Sequence, residues 1–286
     1  MIRAATRVLR MAGGAGELLL RATAPVISCH AQSRVLRETA HRPWPLPSDP
    51  WLMAQTWENL LFAHWRVPPE ELRALVPGAI PLDLWEGSAY VGVTPFRVGA
   101  LRLRGTPHLG GLTAFPELNV RTYTTLDGKP GIWFMSLDAA NAVAVAAARR
   151  AYRLPYFRAD MKVRAHRGSI DYRSRRVSSD GQPAELTGHY RPVGPQSTAA
   201  PGSLEHWLTE RYCLYTLDDK GAVLRADIHH PPWPLMLAEA DLELNTMAEP
   251  YGLKLDSSPP LLHFATRQDV LIWPLAAARP AARSAG

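Results

Sequence analysis

The segment Phe115–Asp138, FPELNVRTYTTLDGKPGIWFMSLD, constrains the fold more than any other stretch of the chain. Asp127-Gly128 tolerates the positive φ values of a tight turn, so the segment predicts a β-hairpin. Side chains alternate along a strand. Glu117, Asn119, Arg121 and Tyr123 therefore share one face, and Leu118, Val120 and Thr122 take the other. A two-residue turn pairs Arg121 with Phe134, Asn119 with Ser136 and Glu117 with Asp138. On that register Glu117, Asn119, Arg121, Ser136 and Asp138 converge on one surface. Two arrangements suit such a surface. Either it is solvated, with ordinary cross-strand ion pairs, or it is enclosed, where each charge needs a partner or a ligand.

Composition narrows the classes. The chain has 286 residues, 47% of them hydrophobic and 20% charged, enough for a large core in one globular domain. Nine Trp and 26 Pro favour short strands and turns over long helices. Residues 1–40 hold six Arg and two Glu, which is +4 of the net +6. The remainder is nearly neutral, so a nucleic-acid partner is not expected; the basic run Tyr172–Arg176 reads as a solvated edge strand. Cys29 and Cys213 are far apart and fit no metal spacing, which suits a reducing compartment. No apolar run reaches the ~20 residues of a membrane span, and the segment around Arg21 makes a poor export signal. The expected location is the cytoplasm.

Along the chain, residues 1–40 read as an Arg/Ala-rich extension, 41–275 as one domain and 276–286 as a disordered tail. Met53–Val67 is a long apolar strand. Pro68-Pro69-Glu70-Glu71 opens a short helix, with Pro early and acids in the first turn. Strands are expected over Ile80–Trp85 and Ala89–Arg97, and a mobile loop over 99–114. Ala139–Tyr152 is the clearest helix, with Arg149 and Arg150 in its last turn and Pro155 beyond. A second helix begins near Ser203, and the last strands lie near Leu262–Thr266 and Val270–Trp273. Together these elements predict an α+β fold: mostly antiparallel strands in a barrel or strongly bent sheet, with two or three short helices.

Several site types are missing from the sequence. There is no Gly-x-Ser-x-Gly elbow, phosphate loop or dinucleotide Gly-x-Gly-x-x-Gly. The ten His form no His-Glu-x-x-His pattern, so neither a metal nor another cofactor is expected. His64 and Arg66 end the first apolar strand, and Glu210-Arg211-Tyr212 follows the second helix, where it reads as a cap. His230 sits in a Pro-locked His-Pro-Pro-Trp, within reach of a cavity. Lys162 reads as an exposed strand residue.

The runs Glu117–Tyr123, Gly131–Ala139, Ala148-Arg149, Leu154–Tyr156, Leu208–Tyr212 and His230–Trp233 resemble the YqjF-like bacterial family, domain of unknown function 2071. The resemblance covers Pro43 to Trp273. That family is distantly similar to acetoacetate decarboxylase, which implies a cone-shaped antiparallel barrel with an interior pocket. The decarboxylase forms a Schiff base through a lysine of a Pro-Lys-Lys motif after an Ala-rich helix. The matching place here is Pro155-Tyr156-Phe157-Arg158, so the nucleophile is missing and Schiff-base decarboxylation is not implied. Glu117 falls at the decarboxylase's pocket glutamate, and Arg66 near its substrate-binding arginine.

The expected site is thus an interior polar pocket for a small carbonyl or carboxylate compound. Glu117 and Asp138 are the candidate acid–base groups, with Arg121, Asn119, Ser136, Arg66, His64 and Tyr156 as binding groups. Arginine suits carboxylates because its fork matches their two oxygens. Acid–base chemistry without a Schiff base, a non-catalytic binder or sensor, and a purely structural ion-pair network remain alternatives, and homo-oligomerisation is compatible with each.

Overall fold

Twelve strands hydrogen-bond into one sheet: β1 (Met53–Val67), β2 (Ala89–Leu103), β3 (Phe115–Leu126), β4 (Lys129–Ala139), β5 (Tyr156–His166), β6 (Ser169–Arg176), β7 (Glu185–Ser197), β8 (Cys213–Leu217), β9 (Val223–His229), β10 (Leu235–Asn245), β11 (Leu261–Ile272) and β12 (Ala276–Ala277). Among the described residues, three α-helices join them: α1 (Pro69–Arg73), α2 (Ala142–Tyr152) and α3 (Leu204–Thr209). The structure is a computed structural model describing residues 34–107, 113–255 and 260–278.

The sheet closes on itself twice. Strands β4-β3-β2-β1-β11-β10-β7-β6-β5 form a nine-strand ring closed by β5 on β4. A second circuit of seven strands, β4-β3-β2-β1-β11-β9-β8, shares five of them and closes through β9–β11 and β4–β8. The ladders β4–β5 and β4–β8 are parallel, so the sheet is mixed rather than purely antiparallel. Parallel pairing requires a crossover, and α2 supplies the one from β4 to β5.

The shared strands are buried on both faces, which explains why the centre of β1, Leu60–Ala63, is apolar at four successive positions instead of alternating. One face contributes Leu61, Ala63, Val91, Val93, Leu118 and Val120 to a cluster with Tyr172, Leu186, Tyr190 and Phe264, which fills the nine-strand ring. The other face contributes Leu60, Phe62, Phe96, Val98, Phe115 and Leu137 to a cluster with Val145 and Tyr152 of α2, Leu214 and Ile228. By contrast, β6 alternates, with Tyr172, Ser174 and Arg176 buried between exposed neighbours. It lies between β5 and β7 and is not an edge strand.

Three expectations change. Ile80–Trp85 is no strand: Pro77 and Pro81 cannot donate to a ladder, and only the isolated bridges Leu82↔Thr124 and Trp85↔Ser88 form. β2 runs on to Leu103, into the expected loop, of which 108–112 lie outside the described residues. The last helix of β4's connection begins at Ala142, because Ala139 still pairs with Glu117 and Asn141 caps the helix through Val143 N and Ala144 N, both 3.0 Å.

Of the expected extension, residues 1–33 lie outside the described residues. Val35 packs on Trp51, Ala54, Leu271 and Trp273, and its carbonyl lies 2.7 Å from His229 Nε2. Of the expected tail, β12 pairs with β9, and 279–286 lie outside the described residues. No helix of the described residues is long and apolar enough to cross a membrane.

Candidate functional site

The hairpin β3–β4 turns at Asp127 (φ 54°) and Gly128 (φ 69°), pairing Leu126 with Lys129 and Arg121 with Phe134. The register then slips. Val120 faces Ser136, so Met135 is an extra residue, and beyond it Asn119 faces Leu137 and Glu117 faces Ala139. The Met135 carbonyl accepts the Tyr251 hydroxyl at 2.8 Å instead of a ladder bond. A one-residue bulge exchanges the two faces of a strand. Ser136 and Asp138 consequently lie with Val120 and Leu118, away from Glu117, Asn119 and Arg121.

Asp138 is held there by Arg176, whose Nε and Nη2 donate to its two carboxylate oxygens at 2.8 Å each. Both side chains are buried, and the guanidinium stacks 4.1 Å from the Phe157 ring centre. This bidentate pair ties β4 to β6 and leaves Asp138 no free oxygen edge for a ligand.

Glu117, Asn119, Arg121 and Tyr156 line a cavity of about 650 Å³ to which all seven strands of the second circuit contribute. Its wall is mainly apolar, including Leu60, Phe96, Phe134, Leu137, Trp233 and the Ala144, Ala147, Ala148 and Ala151 face of α2. Alanines at these spacings let the helix cover the ring without filling it.

Glu117 is buried, and Tyr156 donates to its two oxygens at 3.3 and 3.4 Å. Burial drives its carboxyl up to about 8; the Tyr156 bond opposes the shift and the Asp138 charge adds to it. Desolvation outweighs the hydrogen bond, so at neutral pH Glu117 is mostly protonated. The Tyr156 phenol is pushed well above its usual value, chiefly by burial, and stays a neutral donor.

Arg121 is 5% exposed and has no carboxylate partner among the described residues. Its Nη2 donates weakly to the Tyr123 hydroxyl at 3.4 Å, and its guanidinium lies 5.2 Å from the Phe62 ring centre. Behind it, Tyr123 Oη sits 2.6 Å from His64 Nε2. Burial, with the Arg121 charge next, holds His64 well below the ordinary imidazole value, so it stays neutral and shares a hydrogen bond with the Tyr123 hydroxyl. Gly92 faces both residues across the ladders, and a Cβ there would come within 3.1 Å of the His64 ring and 3.3 Å of Arg121 Cγ. His64 thus supports Arg121 from outside the cavity lining. Arg66 is exposed, donates to Ser88 Oγ at 2.6 Å and does not line the cavity. Lys162 is exposed as well.

Sequence reasoning passed over Arg211 as a binding group. It is 2% exposed, lines the cavity, and is pinned by Asp83, by Trp207 O at 2.6 Å, and by the rings of Trp207 and Tyr123. Its signal lay in Glu210-Arg211-Tyr212, read as a cap. Thr94, Tyr152 and Trp233 were also passed over. Thr94 Oγ1, Asn119 Oδ1, Arg121 Nε, Tyr152 Oη, Arg211 Nη2 and Trp233 Nε1 are all buried without a hydrogen-bond partner, and all six side chains line this one cavity. Buried polar atoms normally find partners, and six that do not belong to side chains of this one lining. Among the described residues no group of three or more His, Cys, Asp or Glu could hold a metal.

Comparison with known proteins agrees with this architecture. The chain is 48% identical over 230 residues to the uncharacterized protein YqjF of Bacillus subtilis (strain 168), covering 80% of this chain and 94% of that protein. Acetoacetate decarboxylase from Legionella pneumophila superposes with a TM-score of 0.54 at 14% identity, over 86% of this chain and 95% of that one. The enduracididine biosynthesis enzyme MppR, complexed with pyruvate, gives 0.54 at 12% identity over 84% and 94%. The profile of the DUF2071 family, uncharacterized conserved proteins, matches residues 54–269. The chain belongs to the DUF2071 family and carries the acetoacetate decarboxylase-like fold.

Proposed function

We propose that the seven-strand circuit acts as a barrel-like container for a small carboxylate- or carbonyl-bearing compound, and that Glu117 performs acid–base chemistry on it. The observation that carries the reading is that six side chains with an unpartnered buried polar atom line one mostly apolar cavity. An unpaired buried guanidinium costs several kcal/mol. An anionic group on Arg121 and Arg211 relieves that cost, and the fork of Arg121 suits a carboxylate. Glu117, poised near neutrality, can give a proton to a carbonyl oxygen or a developing carbanion and take it back. Tyr156 stands beside Pro155, where the decarboxylase resemblance implies a lysine, and no lysine lines the cavity. The chemistry that suits these groups is enolisation or lyase-type proton transfer without a Schiff base. Solved proteins of the same fold include a decarboxylase and an enzyme with bound pyruvate, which supports a carbonyl acid by analogy.

The test is exchange of α-protons of a panel of 2- and 3-keto acids in D2O, followed by proton NMR. Enzyme-dependent exchange that Glu117→Gln abolishes while binding persists supports catalysis. Tight binding of a keto acid with no exchange leaves a carrier or sensor, a reading that the Ala144, Ala147, Ala148 and Ala151 face of α2 favours. Absence of binding across the panel refutes both.

A further inference from the structure

Resting on the carboxylate reading above, we infer that the cavity takes an extended monocarboxylic acid with an apolar body, its head on Arg121 and Arg211 and its tail along α2. The lining residues of β3 run Phe115, Glu117, Asn119, Arg121, a span of about 20 Å at 3.3 Å per residue. The two arginines sit at one end of it. Arg121 and Arg211 lie close enough for the Arg121 charge to act on Arg211, and Asp83 already neutralises Arg211. One unpaired positive charge therefore remains, which fits a single carboxylate rather than a diacid.

Away from that end the wall is mostly apolar. Phe115, Leu101 and Met53 from three adjacent strands line it with Ala147 and Ala148 of α2, and Gln55 among them is already bonded to Trp57 Nε1 and Met53 Sδ. At the outer limit, Leu52, Leu103 and Val143 line the cavity yet are 37%, 50% and 79% exposed. Apolar groups left in water around an apolar cavity mouth gain from a ligand that covers them. A two- to four-carbon acid would satisfy the arginines and leave most of the 650 Å³ with nothing to contact.

Titration calorimetry of the full chain at pH 7 with straight-chain monocarboxylates from acetate to decanoate, and with n-alkanols of the same lengths, tests the inference. The dissociation constant should fall about fourfold per methylene until the cavity is full. Each alkanol should bind about tenfold or more weaker than its acid, because it lacks the charge-assisted bond, and Arg121→Met should erase that gap. Ala148→Phe should bring the plateau to a shorter acid. Acids preferred over alkanols but with no dependence on length overturn the apolar-bodied ligand and leave the carboxylate site standing. Alkanols equal to acids, or no binding by either series, overturn both.

Discussion

Replacing Glu117 by Gln isolates the titration of one buried carboxyl. The ordinary glutamate value is 4.5, and burial lifts Glu117 to about 8 in the folded chain. Between these two values the folded chain keeps a proton that the unfolded chain has released. Stability therefore falls as pH rises, by about 1.4 kcal/mol per unit. The contribution is fully present below 4.5 and is lost by about 8, some 5 kcal/mol across the whole window. Gln is neutral at every pH and keeps an oxygen for the Tyr156 hydroxyl, so it lacks this slope. Urea unfolding of both proteins at pH 5, 6, 7 and 8 reads the effect. Subtracting the two cancels every other titrating group. Between pH 5 and pH 8 the wild type should lose about 3 to 4 kcal/mol relative to Glu117→Gln, a relative midpoint shift of about 1 M urea for a chain this size. A difference that stays flat, or that grows in favour of the wild type, would refute the claim that Glu117 is an uncompensated buried acid.

Asp138→Ala should destabilise by about 3 to 5 kcal/mol in denaturant titration, because it strands the buried Arg176; the double variant Asp138→Leu with Arg176→Met should recover most of that loss. Gly131→Ala should cost about 1 to 3 kcal/mol, since its Cβ would fall 2.7 Å from Cys213 Sγ and 3.0 Å from the Cys213 carbonyl on the parallel neighbour β8; thermal melting checks this, and no loss would mean the β4–β8 contact yields. Asn141→Ala should lower stability by about 1 kcal/mol and speed hydrogen exchange across α2, the helix that covers the cavity.

How far the sequence reached differs from element to element. Asp127-Gly128 and the alternation before it sufficed for the hairpin and for the shared face of Glu117, Asn119 and Arg121, because turn chemistry and the two-residue period are local properties. The apolar and aromatic stretch Met53–Val67 likewise read as a strand, though its cover on both faces came only with the fold. The bulge at Met135 was not legible. Its stabilising contacts, the Tyr251 hydroxyl and the Arg176 guanidinium, come from residues 116 and 38 positions away from the atoms they meet. Arg211 joined the site for a similar reason: Asp83 and the Trp207 and Tyr123 rings aim it inward, whereas its neighbours in sequence suggest only a helix end. Whether the polar face met water or a void was also undecided by the chain alone, since either is compatible with the same alternation. Closure of the second ring through β8 and β9, with an alanine face of α2 laid over it, buried that face, and that long-range packing is what raised Glu117 and left Arg121 without a carboxylate partner.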